Sequence, residues 1–203
     1  YRPDALYPDG LHRDRMLPAV GLIEEKLDIL NVDGGVDYRT RTLEQTRTYL
    51  TPLGAAADRA FHKAFDAIAE VHDEDPLLTI ETRTIRALRR AGGVVWFDFA
   101  TLCGGPRSQN DYLELANRFH TVIVSDVPQM SAALSSEARR FTWLVDVCYD
   151  RRVKLILSAA AAPEELYTAG ALAHEFQRTV SRIHEMQSVE YLRAERRAAR
   201  VDL

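Results

Sequence analysis

Two short, largely apolar runs constrain this chain more than any other feature: residues 120–125 (HTVIVS) and 153–158 (VKLILS). Neither alternates apolar with polar side chains over its length, so each reads as a strand buried on both faces. Between them, residues 137–150 place Phe141, Leu144, Val145 and Cys148 at helical spacing. Strand, helix, strand in that order is what a parallel sheet with covering helices requires, and the fold class is expected to be α/β.

The other segments fit around that unit. Leu17, Val20, Ile23 and Leu27 recur at helical spacing from Leu11 onward, and residues 27–32 read as a short strand before the Asp33-Gly34-Gly35 turn. A second helix is expected over about Ala55 to Val71, with Ala57, Phe61, Phe65 and Ile68 on one face. Asp73-Glu74-Asp75-Pro76 breaks it and is the expected internal boundary, dividing the chain into 1–75 and 76–203. Leu77–Ile80, Thr84–Leu88 and Gly93–Phe97 read as a three-stranded antiparallel meander. Ser108 is placed to cap a helix over 109–119, and a last long helix is expected from about Leu172 past Tyr191.

Composition narrows the classes of function. A net charge of -4 over 203 residues argues against a general nucleic-acid binder. The longest apolar runs are strand-sized, so no transmembrane segment is expected. The chain opens on Tyr1-Arg2-Pro3-Asp4 without a signal-peptide pattern. Its two cysteines, Cys103 and Cys148, belong to no C-x-x-C pair, and a reducing compartment is the expected setting.

The chemistry is mostly defined by what is missing. A Walker A loop needs a lysine directly after its last glycine, and none of the ten glycines precedes Lys26, Lys63 or Lys154. This chain alone is expected to hold neither ATP nor Mg²⁺. The six histidines show no metal-ligand spacing, and no metal site is expected. Cys103 reads as a small buried thiol rather than a nucleophile. Asp126 ends an apolar strand as a Walker B acid does, but Val127 and Pro128 follow it, and the preferred reading is a turn cap. Glu175, Arg178, Arg182 and Glu185 form a helical stripe. It is either a solvated row of ion pairs or a source of guanidinium contacts to a phosphate. Pro3, Asp4, Leu6, Tyr7 and Gly10 are echoed by Pro163, Glu164, Leu166, Tyr167 and Gly170 at a constant offset of 160.

Residues 94–128 (VVWFDFATLCGGPRSQNDYLELANRFHTVIVSDVP) resemble the C-terminal signature of the ZapE family of bacterial cell-division ATPases and their mitochondrial, lactation-elevated relatives. Four more blocks agree in order: 6–18 (LYPDGLHRDRMLP), 31–39 (NVDGGVDYR), 138–155 (ARRFTWLVDVCYDRRVKL) and 178–192 (RTVSRIHEMQSVEYL). Met16 stands where the family usually has Phe. The resemblance implies an AAA-type P-loop ATPase whose Walker A, Walker B and sensor 1 motifs lie upstream of Tyr1. Residues 1–75 would then be the tail of the ATPase core, followed by a C-terminal domain of meander, parallel strands and covering helices. It further implies ATP and Mg²⁺ in the full-length protein, homo-oligomers, a cytoplasmic setting and FtsZ as protein partner. Arg13, in the family's GLxR pattern, would be the arginine finger presented to a neighbouring subunit, with Arg15 as the alternative. The rival reading is a non-catalytic adaptor domain that only docks protein.

Overall fold

The two apolar runs form adjacent parallel strands, and a five-stranded mixed sheet is built around them. A computed structural model describes residues 13–27, 43, 47–69 and 71–197. Chain contacts divide the protein into two compact units, Tyr1–Asp37 and Tyr38–Leu203. The described part of the first is one helix, α1 (Arg13–Lys26).

In the second unit β1 (Tyr49–Leu50) leads into α2 (Ala55–Ala69). Two hairpins follow, β2 (Leu77–Ile80) with β3 (Arg83–Arg86), then β4 (Arg89–Ala91) with β5 (Val94–Asp98). The rest alternates: α3 (Gln109–Arg118), β6 (Thr121–Val127), α4 (Ser135–Arg151), β7 (Lys154–Ala159), α5 (Ala173–Met186) and the short α6 (Val189–Arg193). The main sheet runs β1-β7-β6-β5-β4, and only the β4–β5 pairing is antiparallel.

Because successive side chains on a strand point to opposite faces, the central strands feed two cores. Val95, Phe97, Val122, Val124, Leu155 and Leu157 pack with Tyr112, Phe141 and Phe176 under α3, α4 and α5. Val94, Trp96, Ile123 and Ile156 meet Phe61, Phe65 and Ile68 of α2 on the other face. Trp96 contacts the Phe61 ring edge-on, with centroids 5.7 Å apart. The sheet is therefore covered on both sides, which is why its parallel strands read as continuous apolar runs.

The expected meander is present in connectivity but not as one sheet. Its middle strand bends at Ala87-Leu88: the Ala87 amide donates to Pro76 O at 2.9 Å, and the next amide, Leu88, to Trp96 O at 2.7 Å. The first half pairs with β2 in a separate two-stranded sheet, and the second half joins β5 in the main one. Gly92 (φ 53°) and Gly93 (φ 81°) supply the two positive-φ residues of the tight β4–β5 turn. The long terminal helix also differs, since it stops at Met186 and Ser188 caps a new turn through its Oγ, which accepts the Tyr191 amide at 3.1 Å. The Ser108 cap is as expected, with Asp111 completing a capping box. The expected strand over 27–32 lies outside the described residues apart from Leu27, as does the first copy of the echo. Among the described residues, no helix is long and apolar enough to cross a membrane.

Candidate functional site

Arg13 opens α1 and is half-buried, while Arg15 is exposed. Two residues on a helix turn by about 200°, so the two guanidinium groups leave α1 on opposite sides. Pro18 lies inside the same helix and has no N–H to offer the Asp14 carbonyl one turn back.

Arg178 and Arg182 lie one turn apart on α5. Arg178 is exposed. Arg182 is 9% exposed and turned onto α4, where it bonds Asp146 and reaches Asp150 at 3.4 Å. Its guanidinium also lies 4.6 Å from the centre of the Tyr149 ring. Burial raises the Asp146 carboxyl above its ordinary range, against the lowering pull of Arg182 and Arg178. Arg182 is thus engaged within the chain, joining α4 to α5, with Thr179 bonded to Thr142 at 3.2 Å beside it.

The C-terminal edge of the parallel strands is where open α/β sheets hold ligands. At the end of β5, Asp98 accepts the Thr101 amide and hydroxyl, both at 2.7 Å, and starts a π-helical turn over Ala100–Gly104. Cys103 is buried in that turn, and burial pushes its thiol up to about 12. Burial thus opposes its ionisation to the nucleophilic thiolate. Asp126 is not a turn cap: it lies within β6 at a break in register, in the left-handed region at φ 61°. Its amide donates to Ser158 Oγ on β7 at 3.1 Å, and its side chain is exposed. Such a bulge re-aims one side chain out of the pleat. Trp96 Nε1 donates to Ser125 Oγ at 3.1 Å, satisfying both groups in the core.

Tyr49 had no signal in the sequence, because a two-residue strand carries no period. Its hydroxyl donates to Ala161 O at 2.7 Å, tying β1 to the chain beyond β7. Burial and the nearby Glu164 carboxylate raise its pKa.

These residues do not fit a Mg²⁺·ATP site. No glycine-lysine pair exists to cradle the phosphates. Among the described residues, no three His, Cys, Asp or Glu side chains are grouped to hold a metal ion. The structure places Arg13 and Arg15 on one helix, and Arg178 and Arg182 on another.

The sequence pattern of the AFG1-like ATPase family matches residues 1–195. Cell division protein ZapE of Escherichia coli strain K12 is 45% identical over 194 residues, covering 95% of this chain and 52% of that protein. Lactation elevated protein 1 homolog B of Danio rerio is 30% identical over 225 residues, covering 93% of this chain and 45% of that protein. The chain thus spans about half the length of the curated relatives it matches. No solved structure matches it.

Proposed function

Since the chain belongs to the AFG1-like ATPase family, we propose that it is the C-terminal part of an AAA-type protein that hydrolyses ATP and acts on protein partners in bacterial cell division. The observation that carries this reading is the length of the match: it runs through residues 1–195 and takes in all five sequence blocks. In this reading ATP and Mg²⁺ are held by the part of the full-length protein upstream of Tyr1. Residues 1–75 are the end of the ATPase core and 76–203 a C-terminal α/β domain. The protein works in the cytoplasm as a homo-oligomer, and FtsZ is its partner.

Arg13 is the group of this chain that acts on the substrate. A guanidinium stays charged and offers several donors to phosphate oxygens, which suits it to the charge that develops when a γ-phosphate held by a neighbouring subunit is cleaved. Its place at the start of α1 supports the role, and Arg15 is the alternative on the other side of the helix. Arg178 remains open for a phosphate contact, whereas Arg182 would first have to leave Asp146 and Asp150.

The test is steady-state ATP turnover by the full-length protein. Arg13→Ala is expected to leave ATP binding intact and to cut turnover by roughly 10³-fold or more. Turnover near wild type for Arg13→Ala, with a collapse for Arg15→Ala, transfers the role to Arg15. A full-length protein with neither a GxxxxGK[ST] loop nor any turnover would leave the adaptor reading in place.

A further inference from the structure

The chain leaves β1 for α2 on one face of the sheet and leaves β7 for α5 on the other. Adjacent parallel strands whose connections depart to opposite faces make a switch point, the place outside the strand ends where α/β folds bind phosphates. The strand-loop-helix that lines it, β1 to Gly54 to α2, has the layout of a P-loop unit. Gly54 starts the helix, its carbonyl accepting the Ala57 and Asp58 amides at 2.9 and 3.1 Å. With Gly54 as the last glycine of GxxxxGK[ST], the other fixed positions fall on Tyr49, Ala55 and Ala56. One of four is met.

The neighbouring strands continue the correspondence. Here β1 is flanked by β7 and then β6, all parallel. β7 leads into Pro163, Glu164, Leu166, Tyr167 and Gly170, the echo of Pro3 to Gly10, the segment assigned above to the end of the ATPase core. β6 carries Asp126 near its end, where a Walker B acid would stand. We infer that residues 47–170 form a second P-loop-type unit, laid out like the nucleotide-binding half but with its phosphate site closed, so that the ATPase core of the family reading ends before residue 47 and not at residue 75. The inference rests on the family reading for the layout of the first half.

Apart from Gly54, no phosphate-handling position keeps its residue, and Tyr49 and the Asp126 amide are engaged within the fold. Tyr49, at the first glycine position, clasps Ala161 across the switch point. Ala55 and Ala56 replace the phosphate lysine and the Mg²⁺ hydroxyl, and Asp58 sets a negative charge in the first turn of α2, where a phosphate would need a positive field. The Asp126 amide is taken by Ser158. The second copy of the echo is structural too. Tyr167 is fully buried and bonds Ser135 Oγ at 2.9 Å, and a Cβ on Gly170 (φ 126°) would lie 2.1 Å from the Tyr167 hydroxyl. This unit therefore adds no nucleotide site of its own and gives its switch point to the fold.

Two measurements test this. Calorimetric titration of the 203-residue chain with Mg²⁺·ATP and Mg²⁺·ADP to millimolar concentration is expected to show no saturable heat, and saturable binding of either overturns the closed site. A structure of the full-length protein is expected to show its nucleotide-binding half superposing strand for strand on residues 47–170, with Pro3–Gly10 leaving the strand beside the P-loop strand. A different strand order there overturns the second-unit inference. A full-length protein that binds no nucleotide overturns only the ATPase reading, and the superposition still decides this one.

Discussion

At the scale of single residues, the α4–α5 seam separates two arginines that the sequence cannot tell apart. Arg178 stands three residues after Glu175 and Arg182 three before Glu185, and only the partner helix decides which one is buried. Arg182→Ala is expected to cost about 3 kcal/mol in chemical denaturation, because it strands the half-buried Asp146 carboxylate. Arg178→Ala is expected to stay within about 0.5 kcal/mol of wild type. Equal effects would mean that the Arg182 bridge does not form in solution. The thiols offer a second residue-scale check. Burial holds both Cys103 and Cys148 up at about 12. An ordinary thiol titrates at about 8.5, so near that pH the folded protein should hold only roughly three ten-thousandths of each group as thiolate. Neither cysteine should be alkylated by iodoacetamide until the chain is unfolded. Rapid labelling of Cys103 in the native protein would show that the π-helical turn opens.

At the scale of elements, what could be read in the sequence follows from how many residues each element gives the eye. The strands β6 and β7, with α4 between them, are long and buried, so their pattern survives without any knowledge of the fold. β1 has two residues and one partner strand, and nothing in Arg47-Thr48-Tyr49-Leu50 marks it. The bend at Ala87-Leu88 was equally hidden, because both halves of the bent strand keep β character and only their partners differ. The break after Met186 was readable in principle: Ser188 followed by Glu190 is a helix-start signal inside an apparently continuous apolar stripe. The resulting short helix α6 is held from outside. Lys154, at the start of β7 and 8% exposed, donates its ammonium to Tyr191 O at 2.7 Å and Ala194 O at 2.6 Å, which are carbonyls at the end of α6. A cation there bonds carbonyls of the last turn and opposes the negative end of the helix. Lys154→Met is expected to cost about 1.5–3 kcal/mol, since hydrogen bonds to a charged group are lost, and to speed amide hydrogen exchange over residues 189–194. Unchanged exchange in that segment would sink the anchoring role. Phe97→Ala is expected to cost more, about 3–5 kcal/mol, because Phe97 is wholly buried at the centre of the larger core. A variant that keeps its melting temperature but loses partner binding would make the β5 aromatics an interface instead.

At the scale of the whole molecule, the proposed finger makes a demand that no single-chain experiment can meet. If Arg13 reaches the γ-phosphate held by a neighbouring subunit, an active site is shared between two chains, and the two halves of its chemistry can be supplied by different proteins. Consider two full-length variants: one with the Walker A lysine replaced by alanine, the other Arg13→Ala. The first keeps its finger and cannot hold ATP productively, and the second holds ATP and lacks the finger. Each alone should turn over slowly. Mixed and allowed to exchange subunits, they form some interfaces in which an intact P-loop faces an intact Arg13, and those interfaces should restore part of the wild-type rate. The recovered rate should grow with total protein concentration, because it depends on assembly. A finger acting within its own chain gives a different result, since no mixed pair then contains a complete site and the mixture stays as slow as its components. If the mixture fails while the variants still co-assemble, Arg13 does not act between subunits, and the loss of rate in Arg13→Ala must come from within one chain.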